Sequence, residues 1–393
     1  MSEPEPELYI GREQTLVKHF ILRKYLERFA IIVGSHWNTI TYVDCFSGPW
    51  NVRSDDFRDS SFAIALEQLR KARAILKQRG RTISKLRCFF LEKKRSAYVK
   101  LKEYTHQIDD VEIELRNSTL EESVPAIVNF VEQGGPQSFP FIFIDPTGWT
   151  GFEMATISPL LKLNPGEALI NFMTGHIRRF IDSPEQMTQD SFVRLFGSQA
   201  FHAQIEGLSE VEREDAAVNE YMKNVKTTGK FKHASSAIVL HPEINRTAFH
   251  LIYATRDAKG MEVFKEAEKK AMGVMEKARG EAQKRAREDR TGQGELFNGE
   301  VLHDSGYYNS LRHRYLAKSK STILRFLKEK RRVLYDDVWS LALTMPLTWE
   351  SDLKSWITTW TFDRMLQVIG MKPGQKVPRR GQNIVLLWKT TNT

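Results

Sequence analysis

The chain has 393 residues, of which 41% are hydrophobic and 27% are charged, a composition that excludes wholesale disorder. That length accommodates one large domain and a smaller one. The net charge of +9 and the isoelectric point near 9.3 favour an anionic partner, most often nucleic acid; a merely soluble basic protein is the alternative.

The sequence contains no run of 18 apolar residues, so no membrane-spanning helix is predicted. The acidic N-terminus lacks the features of a signal peptide. The two cysteines, Cys45 and Cys88, lie in apolar runs, where buried reduced thiols are expected. We therefore predict a cytoplasmic protein. Because the ten histidines show no H-E-x-x-H or comparable ligand spacing, no metal site is predicted.

Hydrophobic periodicity predicts strands that alternate with helices through the first half of the chain. A polar arm and an amphipathic helix from Glu13 to Val33 come first, over residues 1–38. Five predicted strands then follow, at Thr39–Phe46, Leu86–Leu91, Val111–Leu115, Phe139–Ile144 and Ala168–Phe172. Helical segments separate these strands, and such alternation predicts a parallel, doubly wound α/β sheet.

Two later strands, Ala237–Leu240 and Ala248–Ala254, are separated by a short connection without a helix. We expect them to form an antiparallel hairpin at the edge of the sheet. This ending is typical of methyltransferase sheets and atypical of plain dehydrogenase sheets. The sequence therefore predicts a doubly wound, methyltransferase-like (Rossmann-like) domain over residues 39–289.

The last part of the chain has a different pattern. A charged helix that fades into Thr291-Gly292-Gln293-Gly294 predicts a linker over residues 290–308. From 309 to 393, three predicted helices precede two short strands, which is the plan of a winged helix. After Met371 the chain has basic residues and no acidic ones, and we expect Lys376, Arg379 and Arg380 to contact phosphates of nucleic acid. A winged helix that only docks a protein is the alternative.

A first candidate site segment, Asp44-Cys45-Phe46-Ser47-Gly48-Pro49, follows the first predicted strand. Ligands of doubly wound sheets bind outside the carboxyl ends of the strands. We expect Asp44, Phe46 and Gly48 to contact a cofactor, because a strand-end acid can position an amino group and a glycine allows close approach of the backbone. An ordinary strand-to-loop turn is the alternative.

Two further residues are candidates for cofactor binding. Glu92 ends the second predicted strand, where a carboxylate typically accepts the ribose hydroxyls of a nucleoside cofactor. A solvated acid at a helix entrance is the alternative for Glu92. Asn117 follows the third strand, where an adenine edge would be contacted, although an Asx-turn is the more ordinary interpretation.

The segment Asp145-Pro146-Thr147-Gly148-Trp149 follows the apolar fourth strand. We expect Asp145 to accept a hydrogen bond from a target amino group, Pro146 to fix the turn, and Trp149 to stack on a base. The segment resembles the Asp-Pro-Pro-Tyr signature of amino-group methyltransferases. The alternative is that Asp145 caps a helix and Trp149 packs in the core.

Taken in order, these motifs resemble those of the three-Cys-motif partner family over nearly the whole chain. The segments that carry the resemblance are Tyr42–Pro49, Leu91–Lys93, Phe143–Gly148, Asn171-Phe172 and Tyr253–Thr255 with Gly260. The family is similar to S-adenosylmethionine-dependent methyltransferases, and its name refers to a neighbouring partner with three cysteines that resembles radical S-adenosylmethionine enzymes. The resemblance implies S-adenosylmethionine as cofactor, that partner protein, and a role in nucleic-acid modification or repair.

Two hypotheses follow for the function. The first is an enzyme that transfers a methyl group from S-adenosylmethionine to an amino group on DNA or RNA, with Asp44, Glu92 and Asp145 as the positioning residues. The second is a non-catalytic subunit that binds nucleic acid on a methyltransferase scaffold. The Asp145 segment favours the first hypothesis. The second is favoured by Trp50, which stands where the family usually has the last residue of Gly-Pro-Gly.

Overall fold

The computed structural model describes residues 5–49, 51–83, 85–180, 185–198, 207–291 and 305–389. The chain divides near residue 303 into two compact units. Most of the predicted linker, residues 292–304, lies outside the described residues, as does Trp50. Within the described ranges, no helix has the length and apolar character needed to cross a membrane.

A seven-stranded sheet forms the centre of the first unit. Its strands are β1 Thr39–Asp44, β2 Lys85–Leu91, β3 Glu112–Arg116, β4 Ser138–Ile144, β5 Glu167–Phe172, β6 His233–Leu240 and β7 Thr247–Thr255. Their order across the sheet is β3-β2-β1-β4-β5-β7-β6. Strands β1 to β5 pair in parallel, and β7 pairs antiparallel with β5. This arrangement confirms the predicted doubly wound, methyltransferase-like fold.

Helices cover both faces of this sheet. They are α1 Glu13–Gly34, α2 Ser61–Gln78, α3 Arg95–Thr105, α4 Leu120–Glu132, α5 Met154–Leu161, α6 Thr174–Phe180, α7 Gln186–Phe196, α8 Glu210–Thr228 and α9 Ala258–Thr291. Helix α1 packs against α2 and α9, while α5 packs against α4, α7 and α8. The central strands are buried on both faces, which explains why β4 is a continuous apolar run without alternation.

Beneath α1, aromatic rings fill one side of the sheet. Tyr25 of α1 stacks against Phe141 of β4, and Phe141 in turn stacks on Tyr42 of β1. Phe29 of α1 meets the Phe141 ring at a tilt of 52°. Aromatic rings bury large areas and favour such offset contacts. The packing fixes α1 over the strands that end in Asp44 and Asp145.

Over residues 305–389, the second unit contains three helices and a small sheet. Its elements are α10 Gly306–Lys330, β8 Arg332–Leu334, α11 Tyr335–Thr344, α12 Glu350–Phe362, β9 Leu366–Ile369 and β10 Val385–Trp388. Strand β10 is central and pairs antiparallel with both β8 and β9. Trp339, Leu353 and Leu386 are buried in its core. Its action as a winged helix stays a prediction.

Candidate functional site

Three carboxylates lie at the carboxyl edge of the large sheet. In the register of the strands, Asp44 pairs with Phe90 of β2 and Phe143 of β4. Glu92 lies two residues after Phe90, and Asp145 lies two residues after Phe143, so each comes directly after the end of its strand. Because parallel strands end at the same edge, the structure brings the three predicted acids to one side of the sheet, where ligands bind in this fold.

The Asp44 carboxylate is buried and fixes the loop that follows β1. Its Oδ1 accepts the N–H of Phe46 at 3.1 Å, and its Oδ2 accepts the Ser61 hydroxyl at 2.6 Å. The Ser47 hydroxyl donates to the Asp44 carbonyl oxygen at 2.8 Å. The structure thus assigns Asp44 the task of shaping the loop. A direct contact with a cofactor, for Asp44 or for the half-buried Phe46, stays a prediction.

Burial changes the ionisation of Asp44. Desolvation raises its pKa to about 6, and the hydrogen bonds from Ser61 and Phe46 oppose that rise. The nearby negative charge of Asp145 raises the pKa further. At neutral pH the protein therefore holds a buried carboxylate whose ionised form is costly.

We expect Asp44→Asn to gain stability relative to the wild type as the pH rises. The folded-state pKa of about 6 lies above the ordinary value of 3.8, so the wild type loses stability as the pH passes upward through that window. Between pH 4 and pH 7 the difference in unfolding free energy should shift towards the variant by about 2 kcal/mol. Urea unfolding of both proteins at several pH values measures this shift, and a difference that does not change with pH would contradict it.

Gly48 and Glu92 are in direct contact. A Cβ atom on Gly48 would lie 1.8 Å from Oε2 of Glu92 and 2.6 Å from its carboxyl carbon. The other oxygen, Oε1, accepts the N–H of Lys94 at 2.5 Å. Glu92 is half-buried, and burial raises its pKa. A side chain at position 48 would thus displace the carboxylate of Glu92, which follows β2, from the backbone of the first loop.

Asn117 closes the same corner of the sheet through backbone contacts. Its Nδ2 donates to the carbonyl oxygens of Glu92 and Lys93 at 2.8 and 3.0 Å. Arg95 donates to its Oδ1 at 3.4 Å. These bonds hold the turn after β2 and thereby support Glu92. The contact of Asn117 with an adenine edge stays a prediction.

Asp145 is held between two side chains that the sequence patterns did not indicate. Lys18 of α1 donates to its Oδ2 at 2.5 Å, and Asn171 of β5 donates to its Oδ1 at 2.7 Å. The Lys18 and Asp145 side chains are 12% and 13% exposed, so the ion pair is largely withdrawn from water. A carboxylate with two fixed donors is rigid, and each oxygen keeps capacity for another donor.

The other residues of the Asp145 segment are structural in part. Pro146 is buried, and Thr147 is exposed. The Trp149 ring meets Phe192 of α7 edge-on, with centroids 4.6 Å apart, and packs against the main core. This contact agrees with the core-packing alternative for Trp149, and stacking of Trp149 on a base stays a prediction.

Three residues that position the acids were not predicted as site residues from the sequence: Lys18, Ser61 and Asn171. Ser60 caps α2 by accepting a hydrogen bond from the N–H of Ala63, and the neighbouring Ser61 hydroxyl donates to Asp44. Asn171 was noted only within the family resemblance. Asn171 could have been found as a polar residue near the end of an otherwise apolar strand. No sequence pattern marks Lys18 as a site residue.

The basic turn of the second unit has one exposed arginine. Arg379 and Lys376 are exposed, whereas Arg380 is half-buried, with its guanidinium 5.2 Å from the Trp339 ring centroid. The Asp336 carboxylate accepts the N–H of Gly381 at 3.0 and 3.1 Å and so ties the turn to α11. Of the two arginines, Arg379 is therefore better placed to meet a phosphate.

The residues at the sheet edge are suited to S-adenosylmethionine. Glu92 holds a half-buried carboxylate against the backbone of Gly48, and a carboxylate is the acceptor that ribose hydroxyls need. Acidic side chains also complement the positive charge of a sulfonium and an ammonium group. Among the described residues, no group of three or more His, Cys, Asp or Glu side chains is arranged to hold a metal ion.

Comparisons with known proteins give weak structural likenesses. A Legionella pneumophila str. Philadelphia 1 protein of the DUF519 family aligns with 65% of this chain and 91% of its own, at 11% identity and a TM-score of 0.39. Loganic acid methyltransferase with SAH aligns with 73% of this chain and 90% of its own, at 9% identity and a TM-score of 0.30. No family model and no curated protein matches the sequence.

Proposed function

We propose that this protein is an S-adenosylmethionine-dependent methyltransferase that modifies an amino group on nucleic acid. The observation that carries the proposal is the contact between Gly48 and Glu92, with the clamped Asp145 at the end of β4 beyond β1. In this strand order, the residues that follow β2 and β1 contact the cofactor. Asp145 follows β4, on the other side of β1 from β2, and contacts the substrate.

S-adenosylmethionine, when bound, supplies an electrophilic methyl group on a sulfonium that is a good leaving group. The task of the protein is then mostly to position the reactants. The Glu92 carboxylate accepts hydrogen bonds from the ribose hydroxyls, and the loop fixed by Asp44 passes beside those hydroxyls. Asp145 accepts a hydrogen bond from the target amino group. The nitrogen gains the methyl group and loses a proton, which passes to water by way of the Asp145 carboxylate.

Two measurements on the full chain test this proposal. Calorimetry should detect binding of S-adenosylhomocysteine, the product form of the cofactor. Incubation with labelled S-adenosylmethionine and either genomic DNA or total RNA should then place label in the nucleic acid. Absence of S-adenosylhomocysteine binding would overturn the proposal outright.

A second candidate function is a non-catalytic subunit on the same scaffold. The observation that favours it is that Asp44 and Asp145 both have each carboxylate oxygen engaged within the protein. Such carboxylates could serve only to stabilise the edge of the sheet. Cofactor binding without any methyl transfer to DNA or RNA, also in the presence of the partner protein, would favour this second function.

The nucleic-acid part of the proposal is supported by charge. The chain has a net charge of +9, and Lys372, Lys376, Arg379 and Lys389 are all exposed in the second unit. Lysine and arginine that neutralise phosphates release condensed counterions. The turn lies between two strands and not on a helix that could enter a groove, so we expect contact with the backbone and no reading of bases.

Removal of Lys376 and Arg379 should reduce the salt dependence of nucleic-acid binding. The variant Lys376→Ala/Arg379→Ala is expected to bind all sequences more weakly, with the slope of log K against log salt reduced by about two. The matched control is Lys100→Ala/Lys102→Ala, which removes two exposed lysines from α3 of the first unit. Equal slopes for the wild type and the Lys376/Arg379 variant would remove the turn from the interface.

The resemblance to the three-Cys-motif partner family adds a proposed partner. We infer that the second unit or the acidic edge of the sheet works beside a three-cysteine protein similar to radical S-adenosylmethionine enzymes. Co-purification of the two proteins, expressed together with a tag on one of them, tests this inference. Their failure to associate, with and without nucleic acid, would contradict it.

A further inference from the structure

A buried acceptor lies at the sheet edge, on the side chain of Asn171. Asn171 is 3% exposed, and its Oδ1 is buried with no hydrogen-bond partner in the part of the chain that the structure describes. Its Nδ2 donates to Oδ1 of Asp145 at 2.7 Å. That bond fixes the orientation of the amide, because a carboxylate oxygen must face the N–H group and not the carbonyl oxygen. The orphan atom is therefore the carbonyl oxygen.

A buried acceptor without a donor is costly, typically by about 1–3 kcal/mol. Such groups in folded proteins call for a specific explanation, and a ligand with a donor is one. Ile144 pairs with Ile170 in the register of β4 and β5, so Asp145 and Asn171 are the next residues on each strand. Their side chains therefore share one face of the sheet at its ligand-binding edge.

The strand order indicates which ligand supplies the donor. The proposed ribose acid and the loop lie on β2 and β1, and β5 lies on the far side of β4 from them. Strand β4 thus separates Asn171 from the cofactor residues. The Asn171 oxygen lies on the side of Asp145 that is away from the cofactor, where the substrate would bind.

We propose that Asn171 is the second acceptor for the target amino group, a proposal that rests on the proposed methyltransferase function. One N–H of the target donates to Asp145, and the other donates to Oδ1 of Asn171. The lone pair of the nitrogen is then left to form the N–C bond as the S–C bond breaks, and one proton is released to water. It follows that the site takes a primary amino group, because a nitrogen that is already methylated would leave one acceptor unpaired.

The test compares two ligands that share the cofactor half of the site. Sinefungin carries an amino group on carbon where S-adenosylmethionine carries its transferable methyl group, whereas S-adenosylhomocysteine carries neither. Calorimetry gives the ratio of the two affinities. The wild type should prefer sinefungin, and Asn171→Ala should reduce that preference by roughly tenfold while binding S-adenosylhomocysteine as before.

Asn171→Asp distinguishes a role of residue 171 as hydrogen-bond acceptor for the ligand from a purely structural role. Aspartate keeps an oxygen acceptor and loses the donor to Asp145, so the sinefungin preference should persist if Asn171 acts as an acceptor. Asn129→Ala, at an exposed position of α4, is the matched control. If circular dichroism shows Asn171→Ala to be unfolded, Asn171→Ser, which is also too short to replace the amide oxygen, takes its place.

An unchanged sinefungin preference in Asn171→Ala would overturn the proposal, and so would an equal loss in the alanine and aspartate variants. Failure of the wild type to bind S-adenosylhomocysteine would instead overturn the proposed function, and this inference with it. The two failures are therefore distinguishable in one set of titrations.

Discussion

Gly48→Ala should weaken S-adenosylhomocysteine binding about as much as Glu92→Ala. The added Cβ would occupy the position of Glu92 Oε2, and the flexible carboxylate is the group that must move. Loss of the ribose acceptor costs about 1–3 kcal/mol, which is roughly 5- to 150-fold in Kd. Both variants should remain folded, and calorimetry measures the two dissociation constants.

The double variant decides whether the two residues act together. If Gly48 matters because it makes room for Glu92, Gly48→Ala/Glu92→Ala should bind no more weakly than Glu92→Ala alone, since effects at residues in contact do not add. Gly273→Ala on α9 is the control, because a Cβ there meets no atom within 4 Å. Additive losses would show that Gly48 and Glu92 contact the ligand independently.

Asp145→Ala should lower the unfolding free energy by about 3–5 kcal/mol, because it leaves the Lys18 ammonium buried without its partner. Adding Lys18→Met removes that stranded charge and fills its space with an apolar chain. The double variant Asp145→Ala/Lys18→Met is therefore expected to be more stable than Asp145→Ala. Urea unfolding followed by circular dichroism measures both differences.

The control for this pair is a more exposed ion pair that joins α1 to α2. Glu27 and Lys71 lie 3.3 Å apart with side chains 22% and 34% exposed. Their removal should cost less than about 1 kcal/mol, as solvent-accessible pairs usually do. A destabilisation of the Asp145 double variant that equals the sum of the two single effects would show that Lys18 and Asp145 do not stabilise each other.

The strands of the sheet were predictable because burial on both faces forces apolar runs into the sequence. The prediction was less accurate where buried residues are polar. Strand β6 begins at His233 and not at Ala237, because Ser235 and Ser236 are buried in the strand and interrupt the apolar signal. Strand β8 has only three residues and is defined by its pairing with β10, which no local pattern reveals.

Helix boundaries depended on side chains outside the apolar pattern. Helix α4 runs from Leu120 to Glu132, and its buried residues include Leu120, Val124 and Ile127 at helical spacing. Thr119 and Glu122 form a capping box that satisfies the first backbone N–H groups. The apolar spacing shows that a helix is present, whereas the capping residues fix where it begins.

The candidate site was predictable to the extent that its residues are strand ends. Asp44, Glu92 and Asp145 follow apolar runs directly, and the fold brings such positions together. Their partners were not predictable, because tertiary packing supplies them from distant parts of the chain. Lys18 and Asp145 are separated by 127 positions, and only the packing of α1 over the sheet places them in contact.

The position of α1 has a consequence for where the functional domain begins. Conventional trimming would start the protein at β1, since all seven strands and the three acidic strand ends lie from Thr39 onward. Such a shortened chain would lose the aromatic cover that α1 gives the sheet and the Lys18 ammonium that pairs with Asp145. The smallest unit that retains the charge balance of the site therefore includes Glu13–Gly34, and sequence searches or expression trials limited to the sheet would leave out part of the site.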